Sequence, residues 1–237
     1  MARATYAELG DACATAHAME LIGGRWSYPI LRELMLGPKR FGALLESVRG
    51  ITPAVLTSRL RELSLSGLIC QKDELDPAAL HAYALTDWAL TLAPILRELG
   101  RWAQSSPVRS TEGGLTPDAA VQAMITLAAG TAPSAHVRLE LRLTDDRVAS
   151  GGEHTYGIEW SRSVFRGERG PLADAPAVVR CDSSTWAQVL FAGLPLSASG
   201  AVTSGDEATI GVLIDTFRTR IAATAEDSRH ARDTRLG

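Results

Sequence analysis

Cysteine is scarce in this chain: Cys13, Cys70 and Cys181 lie far apart among 237 residues with no Cys-x-x-Cys pair. That spacing excludes a disulfide framework and a thiolate zinc site, and it predicts reduced thiols. A basic segment followed by an apolar one is missing from the N-terminus, and no apolar stretch approaches the ~20 residues that cross a bilayer. The expectation is a soluble cytoplasmic protein with no membrane partner.

The usual signatures of catalysis are also missing. A catalytic centre needs a nucleophile with a base, or a metal cluster. His17, His81, His136, His154 and His230 are scattered, with no His-Glu-x-x-His pair, no Gly-x-Ser-x-Gly elbow and no glycine-rich phosphate loop. Asp145-Asp146 and Asp206-Glu207 are adjacent acids in predicted turns or helix starts, where carboxylates favour backbone N–H groups and the helix dipole. No enzyme, cofactor or metal is expected.

Nor is there an excess of basic charge, the net being −3. The acidity is unevenly spread. Residues 1–110 carry 12 Lys+Arg against 11 Asp+Glu, and residues 111–237 carry 12 against 16. Because contact with DNA phosphates depends on a local cationic face, a near-neutral first half stays compatible with nucleic acid.

What is present is an ordinary globular composition, 46% apolar and 22% charged, long enough for one large domain or two small ones. The Ser, Pro, Gly and Thr of Gln104–Pro117 lack apolar periodicity and read as a linker. The expected organisation is a DNA-binding and dimerisation domain at 1–106, a linker at 107–117, a ligand-binding domain at 118–225 and a fraying tail at 226–237. The fold class is α+β: a winged helix-turn-helix, then a domain whose antiparallel sheet is covered by helices.

In the first half, helices are expected at Ala14–Ile22, closed by Gly23-Gly24, at Trp26–Leu36, and from Arg40-Phe41 to Val48. Thr52 can cap a fourth helix, Pro53 takes its first position and Gly67 ends it. Leu68–Lys72 and Ala82–Leu85 read as two strands flanking a wing, and Thr86 can cap one long helix to about Gln104. In the fourth helix Leu56, Leu60 and Leu63 form one stripe, leaving Ala54, Thr57, Ser58 and Arg61 on the other side. A recognition helix needs that division, because exposed side chains must reach base edges while the stripe anchors them. Lys39, Arg40, Arg49 and Arg59 fall at helix ends or turns, where cations can hold phosphates. Lys72 is the anchor available to a wing whose Asp73-Glu-Leu-Asp-Pro77 is acidic.

Gly23-Gly24-Arg25-Trp26, Ile30-Leu-Arg-Glu-Leu34, Gly37-Pro-Lys-Arg-Phe41, Gly50-Ile-Thr52, Leu56-Thr-Ser-Arg-Leu-Arg-Glu-Leu63, Gly67-Leu-Ile69 and Tyr83-Ala-Leu-Thr86 together resemble the HxlR-type winged-helix regulators, over about Cys13 to Trp102. The resemblance implies a homodimer that places two recognition helices in successive major grooves of a palindromic double-stranded operator, ~34 Å apart. Cys13 matches the position of a cysteine that senses oxidants in some members, but Ala14 replaces the usual proline, and a plain structural residue is the alternative. Trp88, Leu92, Ile95, Leu96, Leu99 and Trp102 recur at helical spacing as a dimer stripe, or as a cover for the wing base or the second domain.

In the second half, Asp118–Ala129, Thr185–Ala192 and Ala208–Ala222 read as helices. Val137–Leu143 alternates as a half-buried strand, Tyr156, Ile158 and Trp160 repeat the alternation, and Ala177–Arg180 adds an apolar strand. The stretch Ala177–Phe217, with Asp182, Gly193, a small-residue strand at Ala198–Val202 and Gly205-Asp206, is similar to the end of a sterol carrier protein type two domain. That likeness implies a tunnel for a small apolar ligand, lined by Trp160, Trp186, Leu190, Phe191 and Phe217, with a filled, pocketless core as the alternative. A carrier or scaffold protein that uses its winged helix for protein contacts is the competing function.

Overall fold

A computed structural model describes residues 5–6, 8–72, 81–104, 106, 108, 113–148 and 151–233, residues 224–233 by backbone alone. The acidic wing tip falls outside these residues, as do residues 107 and 109–112 of the expected linker. The chain folds as two units, Met1–Ala93 and Pro94–Gly237, a division earlier than the linker composition suggested.

The first unit runs α1 (Ala14–Ile22), α2 (Ser27–Leu34), β1 (Lys39–Arg40), α3 (Phe41–Ser47), α4 (Pro53–Leu65), β2 (Ile69–Lys72), β3 (Ala82–Leu85) and α5 (Asp87–Leu90). Its sheet has three strands in the order β1-β3-β2, not the two expected, because Lys39 and Arg40 pair antiparallel with Tyr83 and Ala82. Two residues leave no alternation to detect. Ile30, Leu31, Leu44, Leu56, Leu60, Leu63 and Leu68 make the core, each at most 2% exposed. Beside them Glu33 is fully buried and accepts from Lys39 Nζ at 2.5 Å and Arg32 Nη2 at 2.9 Å, tying α2 to β1.

The single helix expected from Thr86 to Gln104 is two, α5 and α6 (Leu92–Gln104), separated at Thr91. Pro94 is the cause. It has no N–H for the carbonyl of Leu90, and its ring would strike that carbonyl in a continuous helix. In the first turn of α6 the missing donor costs nothing.

The second unit continues with α7 (Pro117–Ala128), β4 (Val137–Thr144), β5 (His154–Ser161), β6 (Val164–Arg169), β7 (Ala177–Asp182), α8 (Ser183–Phe191), β8 (Val202–Gly205) and α9 (Glu207–Asp233). The sheet order is β6-β5-β4-β7-β8, and β4 and β7 run parallel, so the sheet is mixed rather than antiparallel. The sequence missed β6, whose Val-Phe-Arg-Gly-Glu-Arg does not alternate, and placed β8 too early, where a short 3-10 turn occupies Leu196–Ala198. The tail expected to fray from 226 continues α9 as helix to Asp233.

Register sets the two faces of this sheet. Val137, Leu139 and Leu141 lie opposite Trp160, Ile158 and Tyr156, and all six are buried. The other face is charged, with Arg138 Nε 3.0 Å from Glu159 Oε1 on the paired position. Glu140 departs from the alternation: it is 4% exposed and accepts from Arg142 Nε at 2.7 Å and Leu172 N at 3.1 Å. Helix α7 approaches β6 closely because Gly167 has no side chain; a Cβ there would sit 2.7 Å from Val121 Cγ1. The approach is fastened by Asp118, 2% exposed, which accepts from Tyr156 Oη at 2.6 Å and pairs with Arg169.

Removing one partner of a buried ion pair strands the other. Asp118→Ala is therefore expected to lower stability by about 3–5 kcal/mol in chemical denaturation, against less than about 1 kcal/mol for an exposed pair. A decrease within the exposed-pair range would show that Arg169 and Tyr156 find water instead.

Candidate nucleic-acid interface

The placement of α4 starts from its ends. Thr52 Oγ1 accepts from Val55 N at 3.4 Å, satisfying a first-turn donor, and Pro53 follows where no donor is needed. At the other end Gly67 takes φ +72°, and Leu68 N donates to Leu63 O at 2.9 Å, closing the helix as only a residue without Cβ does cheaply. Thr86 Oγ1 donates to Gly67 O at 2.7 Å and accepts from Ala89 N at 3.1 Å, so one hydroxyl joins the end of α4 to the start of α5.

Leu56, Leu60 and Leu63 are at most 2% exposed and fasten the helix on one side. At about 1.5–3 kcal/mol per buried leucine, this seam outweighs any surface contact the helix makes. Ala54, Thr57, Ser58 and Arg61 are exposed on the other side. Thr57 Oγ1 donates to Pro53 O at 2.9 Å, which leaves its lone pairs outward. Ser58 Oγ donates to Glu62 Oε1 at 3.1 Å.

The cations divide into two groups. Arg40, at the N-cap position of α3, Arg49 and Lys72 are exposed. Lys39 is not among them: its side chain is 11% exposed and bound to buried Glu33. Arg59 is 28% exposed and pairs with Glu62 Oε2 through Nη1 at 2.6 Å. Its guanidinium lies against Gly24, where a Cβ would come within 3.0 Å of Nη1. Sequence reasoning passed over Glu33 and Glu62, although the spacings Ser58–Glu62 and Arg59–Glu62 signal the second.

Of the dimer candidates, Trp88, Ile95, Leu99 and Trp102 are exposed, at 55%, 58%, 44% and 73%, and Leu92 and Leu96 are half-buried. Of the ligand candidates, Trp160, Trp186, Leu190 and Phe217 are buried and Phe191 half-buried. Phe217 brings three together, with ring centroids 5.0 Å from Trp160 and 5.9 Å from Phe191, and Phe165, which the sequence reading passed over, stands 5.3 Å from Trp160. Among the described residues the indole N–H groups of Trp160 and Trp186 are buried without an acceptor.

Cys13 is exposed at the N-cap of α1, where the backbone N–H groups of Ala16 and then Thr15 hold its thiol below the ordinary range. Burial, followed by the charges of Asp182 and Asp146, pushes Cys181 up to about 12. Among the described residues no group of three or more His, Cys, Asp or Glu is placed to hold a metal ion, and no helix is long and apolar enough to cross a membrane.

Comparison with known proteins finds relatives of the first part of the chain. Residues 21–110 match the family described as HxlR-like helix-turn-helix. Over 92 residues the chain is 38% identical to the HTH-type transcriptional regulator YkvN of Bacillus subtilis, covering 38% of this chain and 76% of that one. It is 31% identical over 86 residues to the regulator YodB of the same organism, covering 36% and 77%. Among solved structures, quinone-bound YodB from B. subtilis matches with 29% identity and a TM-score of 0.35, over 39% of this chain and 97% of that one.

The thiolate is the form that alkylates, so near neutral pH iodoacetamide is expected to label Cys13 fastest, Cys70 more slowly and Cys181 only after denaturation. Mass spectrometry of the adducts measures the order, and native labelling of Cys181 at the rate of Cys13 contradicts it.

Proposed function

The chain belongs to the HxlR-like helix-turn-helix family of DNA-binding transcriptional regulators, and on that premise we propose that it works in the cytoplasm as a homodimer on a palindromic operator, with its C-terminal unit tuning affinity through a small apolar ligand. The observation that carries the DNA half is the exposed row Thr57, Ser58 and Arg61 on a helix whose leucine seam is buried. In this reading Thr57, Ser58 and Arg61 meet base edges, while Arg40, Arg49 and the N-terminal turn at Thr52 and Ala54 hold phosphates on either side. Lys72 serves the wing. The exposed Trp88, Ile95, Leu99 and Trp102 supply apolar area that a second copy covers.

Two observations support the ligand half. A sheet covered by helices is the arrangement that the likeness to sterol carrier protein type two domains implies, although this sheet is mixed where an antiparallel one was expected. Trp160 and Trp186 also keep buried donors that a ligand with one acceptor would satisfy. Binding would act by favouring one of two states of the dimer, with a strength set by the difference in ligand affinity between them. A second reading, oxidant or electrophile sensing, is favoured by Cys13, exposed and with its thiol already biased toward the thiolate.

Arg61→Ala is expected to relax base preference at one position of each half-site. Arg40→Ala should weaken binding to all sequences and reduce the slope of log K against log salt by about 0.9 for each phosphate that the protein no longer neutralises. Fluorescence anisotropy with duplexes enriched from a random library separates the two, and equal affinity for enriched and random DNA would sink the regulator reading.

For the ligand, Trp186→Phe keeps one aromatic ring and deletes the donor with the pyrrole ring that carries it. It is expected to release lipid-like material seen by native mass spectrometry of the wild-type protein and to shift operator affinity. If the wild type carries no such material and the substitution leaves operator affinity unchanged, the second unit is a filled scaffold.

A further inference from the structure

The base-reading face of α4 carries one acid. Glu62, its side chain 53% exposed, lies one helical turn beyond Ser58 and takes two donors at once, Ser58 Oγ at 3.1 Å and Arg59 Nη1 at 2.6 Å. Stability does not explain the arrangement, since exposed i,i+3 and i,i+4 pairs contribute only about 0.3–0.5 kcal/mol. Its cost to DNA binding is larger. A carboxylate beside a groove repels phosphates, and its pairing occupies Arg59 Nη1 on a guanidinium that lies against Gly24. Glu62 Oε2 accepts from Arg59 Nη1, while Arg59 Nε is buried with no acceptor among the described residues.

We infer that Glu62 is a specificity-determining residue of the DNA interface: it withholds Arg59 from the phosphates and accepts only a base edge that offers an amino proton, as cytosine N4 does. The inference rests on the DNA-binding reading of α4 and adds to it a penalty on the wrong sequence. Random DNA meets an uncompensated negative charge and one cation fewer per subunit. At the right site the base amine replaces Ser58 or Arg59 as a donor to the carboxylate, and the charge is satisfied. Discrimination then comes as much from what Glu62 refuses as from what Arg61 grips.

The test uses the full-length protein, a duplex enriched by the wild type from a random library, and an unselected random duplex. Affinity is measured for both across a salt series with the wild type, Glu62→Gln, Arg59→Gln and the double variant. Glu62→Gln is expected to tighten binding to random DNA. It should also steepen the salt slope by about 0.9 for each further phosphate neutralised, and so by about 1.8 for a dimer. The enriched-to-random ratio should fall at least about threefold, with preference moving from cytosine toward adenine at one position per half-site. Adding Arg59→Gln should abolish the steepening, which ties the effect to that guanidinium. An unchanged slope and an unchanged ratio in Glu62→Gln, with circular dichroism like the wild type, overturn the inference while leaving the DNA-binding reading intact. Failure of the wild type to enrich any sequence overturns both.

Discussion

Three leucines one helical turn apart decide what the rest of the first unit can do. With Leu56, Leu60 and Leu63 in the core, the rotation of α4 is determined, and a helix whose rotation is determined has no choice about which side chains it shows. Its other attachments are polar and refine this placement. Thr52 caps the start, and the hydroxyl of Thr86 binds the carbonyl at Gly67, so the helix is stopped at both ends as well as fastened along one side. If α4 reads bases as proposed, it needs this rigidity, because base recognition tolerates errors only well below the width of a groove.

The same logic explains how much of the fold was legible beforehand. The seam, the cap at Thr52, the stop at Gly67 and the strand at Ala82–Leu85 are local signals, each carried by residues within a few positions, and the structure follows them closely. The misses share a different origin. Strand β1 is two residues long and exists only because β3 passes beside it, and β6 is a strand by virtue of pairing with β5 and not by its own pattern. The parallel pairing of β4 with β7 was hidden for the same reason, since alternation has period two whichever way a neighbour runs. Pro94, by contrast, is a local signal: its consequence for the carbonyl four residues back breaks the expected long helix.

At the candidate interface, residue type and spacing identified which side chains stand outside, but not which of them are already engaged. Lys39, Arg59 and Ser58 each have an acid as partner, Glu33 for the first and Glu62 for the other two. Glu33 lies near the end of α2 beside the buried Leu34, where a carboxylate is unexpected until β1 brings Lys39 to it. In the second unit Trp160, Trp186 and Phe217, singled out by size, are inside, Phe191 is half-buried, and Phe217 at their centre touches rings from β5, β6 and α8. Size reports burial well. It is silent on whether the space between rings admits a guest.

The ion pair under β1 has a chemical corollary. The sequence contains two lysines, Lys39 and Lys72, and the ε-amine of Lys39 is sealed against Glu33. Apart from Lys72, the positive charge available to DNA is guanidinium, which stays protonated at any pH a cell reaches and is not a target of acetyl transfer. Acylation of amines would therefore leave every guanidinium contact with the phosphates as it is.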